Sequence, residues 1–180
     1  MNTVNFIKHY TYEDYKLWEG EWELFDGFPV AMSPATTINH QAIAGKFISQ
    51  LDEQLDNCER CLVVEEDYKI SDDTILCPDV VLICDEPNEA YITKAPEIIV
   101  EVVSKSTAKN DEGYKFQKYE AEKVTYYVIV YPDDLYAKVY KLKEGKYDKQ
   151  GDFSRETYDF EETLCKVSID FERVFKRFRK

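Results

Sequence analysis

No apolar run in this sequence approaches the ~20 residues needed to cross a bilayer, and Met1 to His9 lack the apolar core of an export signal. Both absences point to a cytoplasmic protein with no membrane partner. Histidine is scarce, at His9 and His40 only, and the five cysteines (58, 61, 77, 84 and 165) are an odd set. Without an export signal such a set reads as reduced thiols rather than a disulfide framework. Cys58-x-x-Cys61 could open a zinc site. Neither Cys77 nor Cys84 repeats that spacing, however, and the histidines do not supply the missing ligands, so ordinary buried thiols are expected. Internal repeats, low-complexity segments and linkers are all missing. A chain of 180 residues suffices for one core and is short for two, so residues 1–180 should form a single domain. Positive charge is also in short supply, with 23 Lys and Arg against 36 Asp and Glu and a net charge of −13. Any contact with nucleic acid must then use local lysines, metal ions or a groove formed by a dimer. One basic patch closes the chain (Arg173, Lys176, Arg177, Arg179, Lys180), where cations also complement a helix C-terminus.

What the chain does hold is two short runs rich in β-branched residues. Val80 to Cys84 follows Pro78-Asp79, and Ile98 to Val103 follows Ala95-Pro96. Both have the length and composition of strands buried on two faces. Glu101 interrupts the second run on the face of Ile99 and Val103. An ionised carboxylate among aliphatics is costly unless it is paired, hydrogen-bonded or bound to a metal. Its partner is either a divalent cation held jointly with Asp79 or a nearby lysine. A buried Glu–Lys pair without chemistry is the plain alternative.

Around these runs the pattern is readable in order. Thr11 caps a short helix through Tyr15 and Trp18 that Gly20 stops. Asp26-Gly27 joins two strands as a hairpin turn, with Glu23 on the first strand expected to face solvent. Helical spacing of Ala44, Phe47, Ile48, Leu51 and Leu55 predicts a helix over about 37–56, with His40 in its first turn as a surface or capping residue. Strands are expected over 61–70 and 74–84, then a loop from Asp85, the Glu101 strand, and a helix over about 107–123. Asp111, Lys115 and Tyr119 lie four residues apart on that helix, where Asp111 and Lys115 could be a simple surface pair. Strands over 126–131 and 135–142, an antiparallel meander and a terminal helix capped by Asp170 complete the chain. The order implies an α/β (α+β) fold, a mixed sheet flanked by helices with an N-terminal β-hairpin and a C-terminal antiparallel extension.

Taken together, Glu-Leu-Phe-Asp-Gly (23–27), Met-Ser-Pro (32–34), His-Gln (40–41), Pro-Asp-Val (78–80), Glu-Val-Val-Ser-Lys-Ser-Thr (101–107) and Asp-x-x-x-Lys-x-x-x-Tyr (111–119) resemble the Uma2 family, formerly DUF820. That family belongs to the restriction-endonuclease-like, PD-(D/E)xK superfamily. The resemblance covers about residues 11–140 and implies a metal-dependent endonuclease using Mg²⁺ or Mn²⁺. By it, Asp79 and Glu101 are the metal-binding carboxylates. The lysine of the (D/E)xK element should then stand at 103, where this chain has Val103. A helix-borne lysine replaces it in this family, which points to Lys115, with Lys118 the next choice. Glu23 and His40 match further blocks as accessory residues at the rim. Nucleic acid, DNA foremost, is the implied partner, and a homodimer the implied assembly. Two other classes stay open: a catalytically silent member that binds nucleic acid or protein, and a structural oligomer in which Glu101 is a lysine-paired core group.

Overall fold

The two apolar runs become neighbouring strands at the centre of the molecule. In the computed structural model, which describes residues 8–32 and 37–179, the chain begins with α1 (Tyr12–Tyr15), the hairpin β1 (Trp22–Phe25) and β2 (Phe28–Ala31), and α2 (Ile38–Asp52). It continues through β3 (Cys61–Val64), β4 (Tyr68–Ser71), β5 (Thr74–Leu76), β6 (Val80–Cys84) and β7 (Ile98–Val102). A π-helical turn (Asn110–Lys115) then runs into α3 (Phe116–Ala121). Last come β8 (Tyr126–Tyr131), β9 (Tyr136–Lys143), β10 (Lys146–Phe153), β11 (Thr157–Phe160), β12 (Val167–Asp170) and α4 (Phe171–Phe175). Met-Ser-Pro extends beyond the described residues at Ser33 and Pro34, as does the basic patch at Lys180.

Six strands form the main sheet in the order β10-β9-β8-β7-β6-β3. Only β7 and β8 run parallel in it, joined by the helical segment that crosses over one face. Val80, Leu82, Val100, Val102, Val128 and Val130 point to one side, where α2, α4 and the β11–β12 pair cover them. Val81, Ile99, Val103, Tyr127 and Ile129 point to the other, packed with Tyr119 of α3 and Phe25 of β1. A second sheet, ordered β2-β1-β5-β4, carries the hairpin. Asp26 and Gly27 both have positive φ (47° and 81°), as the two-residue turn requires. Pro29 lies on the edge strand β2, where its missing N–H leaves no gap in the ladder. Thr37 caps α2 by accepting from the His40 N–H, and Asp170 caps α4 by accepting from the Arg173 N–H.

Three expectations are corrected. The strands read over 61–70 and 74–84 are each split between the two sheets: β3 and β6 join the large one, β4 and β5 the small one. Pro78 cannot donate to a ladder, so the chain leaves one sheet before it and enters the other at Val80. The helix over 107–123 contains a π turn instead of a continuous α-helix. The cysteines also depart from separate thiols: Cys58 is joined to Cys165 and Cys61 to Cys84, leaving Cys77 free. Antiparallel pairing sets Cys61 opposite Cys84, a juxtaposition that spacing along the chain does not reveal.

Candidate active site

Glu101 stands near the C-terminal end of β7, flanked on its own face by Ile99 and Val103. Asp79 lies just before the adjacent β6 and lines the same cleft as Glu101. Its Oδ2 accepts the Val102 N–H at 2.7 Å, a bond that ties the carboxylate to the end of the neighbouring strand. His40 Nε2 approaches the same oxygen at 3.3 Å. From the opposite side Glu23 of β1 enters, its Oε1 accepting the Cys77 N–H at 2.9 Å.

Lys115 joins these groups. Its ammonium lies 2.7 Å from Glu23 Oε1, 3.0 Å from Glu101 Oε1 and 3.6 Å from Asp111 Oδ1. The Tyr119 hydroxyl donates to the same Glu101 oxygen at 2.9 Å, and the Tyr127 hydroxyl donates to the Asp111 carbonyl at 3.0 Å. Lys115, Glu101 and Asp111 each expose 3% or less of their surface. A continuous α-helix would rotate Asp111 away from Tyr119 by about 80° over eight residues. The extra residue absorbed by the π turn takes out about 100° of rotation, which leaves the two only about 20° apart on one inward stripe.

Burial sets the electrostatics. It drives the Glu101 carboxyl well above the carboxylate range; Lys115 pulls it back, and Asp111, Asp79 and Glu23 push it further up. Burial works against the Lys115 ammonium, yet Glu101, Glu23 and Asp111 together hold it well above the usual lysine value. Asp111 is raised by its burial, with Lys115 opposing. Burial alone would lower His40, but the hydrogen bond and charge of Asp79 raise it above its ordinary value. Four carboxylates (Glu23, Asp79, Glu101, Asp111) thus share one lysine and one histidine. They line an open cleft of about 1030 Å³.

Among the residues singled out from sequence, Asp79, Glu101, Lys115, Glu23 and His40 come together here. Glu23 is buried rather than facing solvent, because β5 pairs with β1 and Lys115 sits against it. His40 is buried against Asp79 rather than capping at the surface. Asp111 and Lys115 are likewise interior rather than a surface pair. Lys118 is elsewhere: its ammonium pairs with Asp26 at the hairpin turn, 2.6 Å away. Val103 is buried where the (D/E)xK lysine would start, and Lys115 brings the ammonium to Glu101 from the helix instead. Sequence reasoning did not assign Asp111 or Tyr119 to the site, although their shared spacing with Lys115 carried the signal.

The Uma2 family model, described as "Putative restriction endonuclease", matches residues 12–170. The chain belongs to the Uma2 family. An uncharacterized Synechocystis relative is 33% identical over 117 residues, covering 59% of this chain and 60% of its own length. This chain therefore matches less than two thirds of that relative. A crystal structure titled as a "putative nuclease belonging to DUF820" from Anabaena variabilis superimposes with a TM-score of 0.72 at 15% identity, covering 92% of this chain and 97% of the other. At that identity the likeness to this Uma2 neighbour is one of fold, the restriction-endonuclease-like mixed sheet with flanking helices.

Proposed function

We propose that this Uma2 chain is a metal-dependent endonuclease that hydrolyses phosphodiester bonds of nucleic acid, DNA foremost, in the cytoplasm and as a homodimer. The reading rests on one observation: three carboxylates converge on a single lysine, with a fourth, Asp79, paired only to His40, at the wall of one open cleft. That excess of buried negative charge calls for a further cation, and an all-oxygen donor set suits a hard divalent one. The contacts described above engage Oδ2 of Asp79 and Oε1 of Glu101, and the second oxygen of each carboxylate takes no part in them. Asp79 and Glu101 fit Mg²⁺ or Mn²⁺, which when bound would polarise the phosphodiester and acidify a water.

The chain's own groups have separate tasks. The Val102 N–H and His40 hold Asp79 in orientation, while Tyr119 and Lys115 hold Glu101. Lys115, kept charged by its carboxylates, supplies positive charge beside the phosphate as negative charge develops on it. Glu23 steadies that ammonium from the hairpin side. With a net charge of −13, the molecule would repel a polyanion at long range, so the bound cation would also be what admits a phosphate to the cleft.

Purified protein incubated with plasmid, single-stranded DNA and RNA in Mg²⁺, Mn²⁺ or EDTA tests this. We expect cutting with either metal and none in EDTA, and a loss of at least ~100-fold in Asp79→Ala and Glu101→Ala with cooperative unfolding retained. Undiminished cutting by either variant would reject the scheme. A second reading, a silent binding member of the fold, draws on the lysine that already pairs with Glu101. It predicts no cutting under any metal.

A further inference from the structure

The four paired cysteines form one group rather than two. Cys58 and Cys61 end the turn between α2 and β3, Cys84 ends β6, and Cys165 lies in the turn between β11 and β12. The pairing Cys58–Cys165 and Cys61–Cys84 takes one member of the Cys-x-x-Cys turn into each pair. The sulfurs of Cys165 and Cys61, from different pairs, are only 2.9 Å apart. The sulfurs of Cys58, Cys61 and Cys165 all lie within 4.8 Å of one another, and Cys84 meets Cys61 directly. Two independent bridges have no need to pack sulfur against sulfur. A tetrahedral ion does, because metal–sulfur bonds of about 2.3 Å set the four sulfurs about 3.8 Å apart.

We propose that, with its thiols reduced, Cys58, Cys61, Cys84 and Cys165 hold one structural zinc ion. Four soft thiolate ligands select zinc over the hard cations suited to the carboxylate cleft. Cys61 and Cys165 are 3% and 5% exposed, and with all four positions filled by protein the site is closed to substrate, as structural zinc sites are. Two cationic residues lie close to the cluster along the chain or by contact, although the Arg60 guanidinium is itself paired with Asp85. Arg60 lies inside the Cys-x-x-Cys turn, and the Lys94 ammonium donates to the carbonyls of Cys84 and Asp85 at 3.3 and 3.0 Å. The cluster is separate from the acidic cleft. Cys84 packs with the α2 side of the sheet, opposite Glu101, and five residues of β6 put it about 16 Å along the strand from Asp79. Its ligands come from three segments that are far apart in sequence. The ion would pin the turn of the two-stranded β11–β12 sheet to the β3 edge of the main sheet, which β11 and β12 do not join by strand pairing.

The test is native mass spectrometry and elemental analysis of the full chain purified anaerobically in reductant, with cobalt substitution as a spectroscopic probe. We expect one zinc per chain, the intense visible bands and sulfur-to-metal charge transfer of a tetrahedral four-thiolate cobalt site, at least tenfold weaker zinc retention in Cys165→Ser, and full retention in Cys77→Ser. Asp79→Ala should also keep its zinc, so the outcome is independent of nuclease activity. Reduced wild-type protein that takes up no zinc, or that forms two disulfides despite the reductant, would overturn the proposal. So would a cobalt spectrum lacking thiolate charge transfer, a result that stands even if Cys165→Ser fails to fold.

Discussion

Lys115 and Lys118 are three residues apart on one helical segment, yet their surroundings differ completely. The first is interior, with three carboxylates within 3.6 Å, and the second pairs with an exposed Asp26. Removing the buried ammonium leaves several desolvated carboxylates without a counter-charge, so Lys115→Met should lower stability by about 3 kcal/mol or more in urea unfolding. Lys118→Met should cost less than about 1 kcal/mol. Equal losses would mean that the ammonium is not confined as described. Glu101 was legible because a carboxylate inside a β-branched run demands a reason, and Asp79 because it stands at the head of the other run in a family block. The burial of Glu23 was not, since alternation on a hairpin tells which residues share a face without saying which face will be covered. His40 was likewise legible as a helix start, while its burial depends on Asp79, 39 positions away in the chain.

At the level of elements, the hairpin, the main strands and the Asp170 cap were readable from local chemistry. The breaks inside the 61–70 and 74–84 segments were not, because each half is a good strand and only the partner sheet distinguishes them. The π turn also escaped periodicity, being favoured by the inward stripe of Asp111, Lys115 and Tyr119 rather than by local propensity. The loop between β6 and β7 is organised by a carboxylate. Glu86 accepts the N–H groups of Asn88, Thr93 and Lys94 and the Thr93 hydroxyl at 2.7 to 3.0 Å. Burial alone would raise its carboxyl, but these donors hold it below the ordinary value of 4.5. A depressed carboxyl contributes stability above its unfolded value and loses it as pH falls through the folded one. Glu86→Gln should therefore cost about 1 kcal/mol at pH 7, after allowance for solvent screening. The deficit should close in acid, once the pH lies below the depressed folded value and the wild-type carboxyl is protonated too. Denaturation at the two pH values measures this, and a deficit of equal size at both would show that Glu86 acts through packing instead.

For the whole molecule, a net charge of −13 sets a background of self-repulsion against which a cation can stabilise in two ways. Screening is common to all salts, whereas the site proposed at Asp79 and Glu101 would need a divalent ion. At about one hundred times its Kd, Mn²⁺ should add about 2.7 kcal/mol and raise Tm by about 5–10 °C for a chain of this size. NaCl of matched ionic strength should give a smaller shift, and Asp79→Asn should lose the excess; an identical response to both salts would count against a cation site. Among the described residues no helix is long and apolar enough to cross a membrane. The terminal basic patch is partly consumed by internal pairing, with Arg173 on Glu53 and Arg179 on Glu172, so it adds little to a surface for polyanions. By itself the sequence determined the order of strands and helices, the hairpin turn, the family blocks and the two carboxylates whose burial demands a partner, since these follow from near-neighbour chemistry and alternation. The family blocks pointed to Glu23 and His40 as accessory residues and to Lys115 ahead of Lys118; tertiary structure alone decided that Asp111 joins them, that Glu23 and His40 are buried, and that four cysteines from three segments meet. Those outcomes depend on which surfaces the sheets and helices press together, and spacing along one chain does not encode such distances.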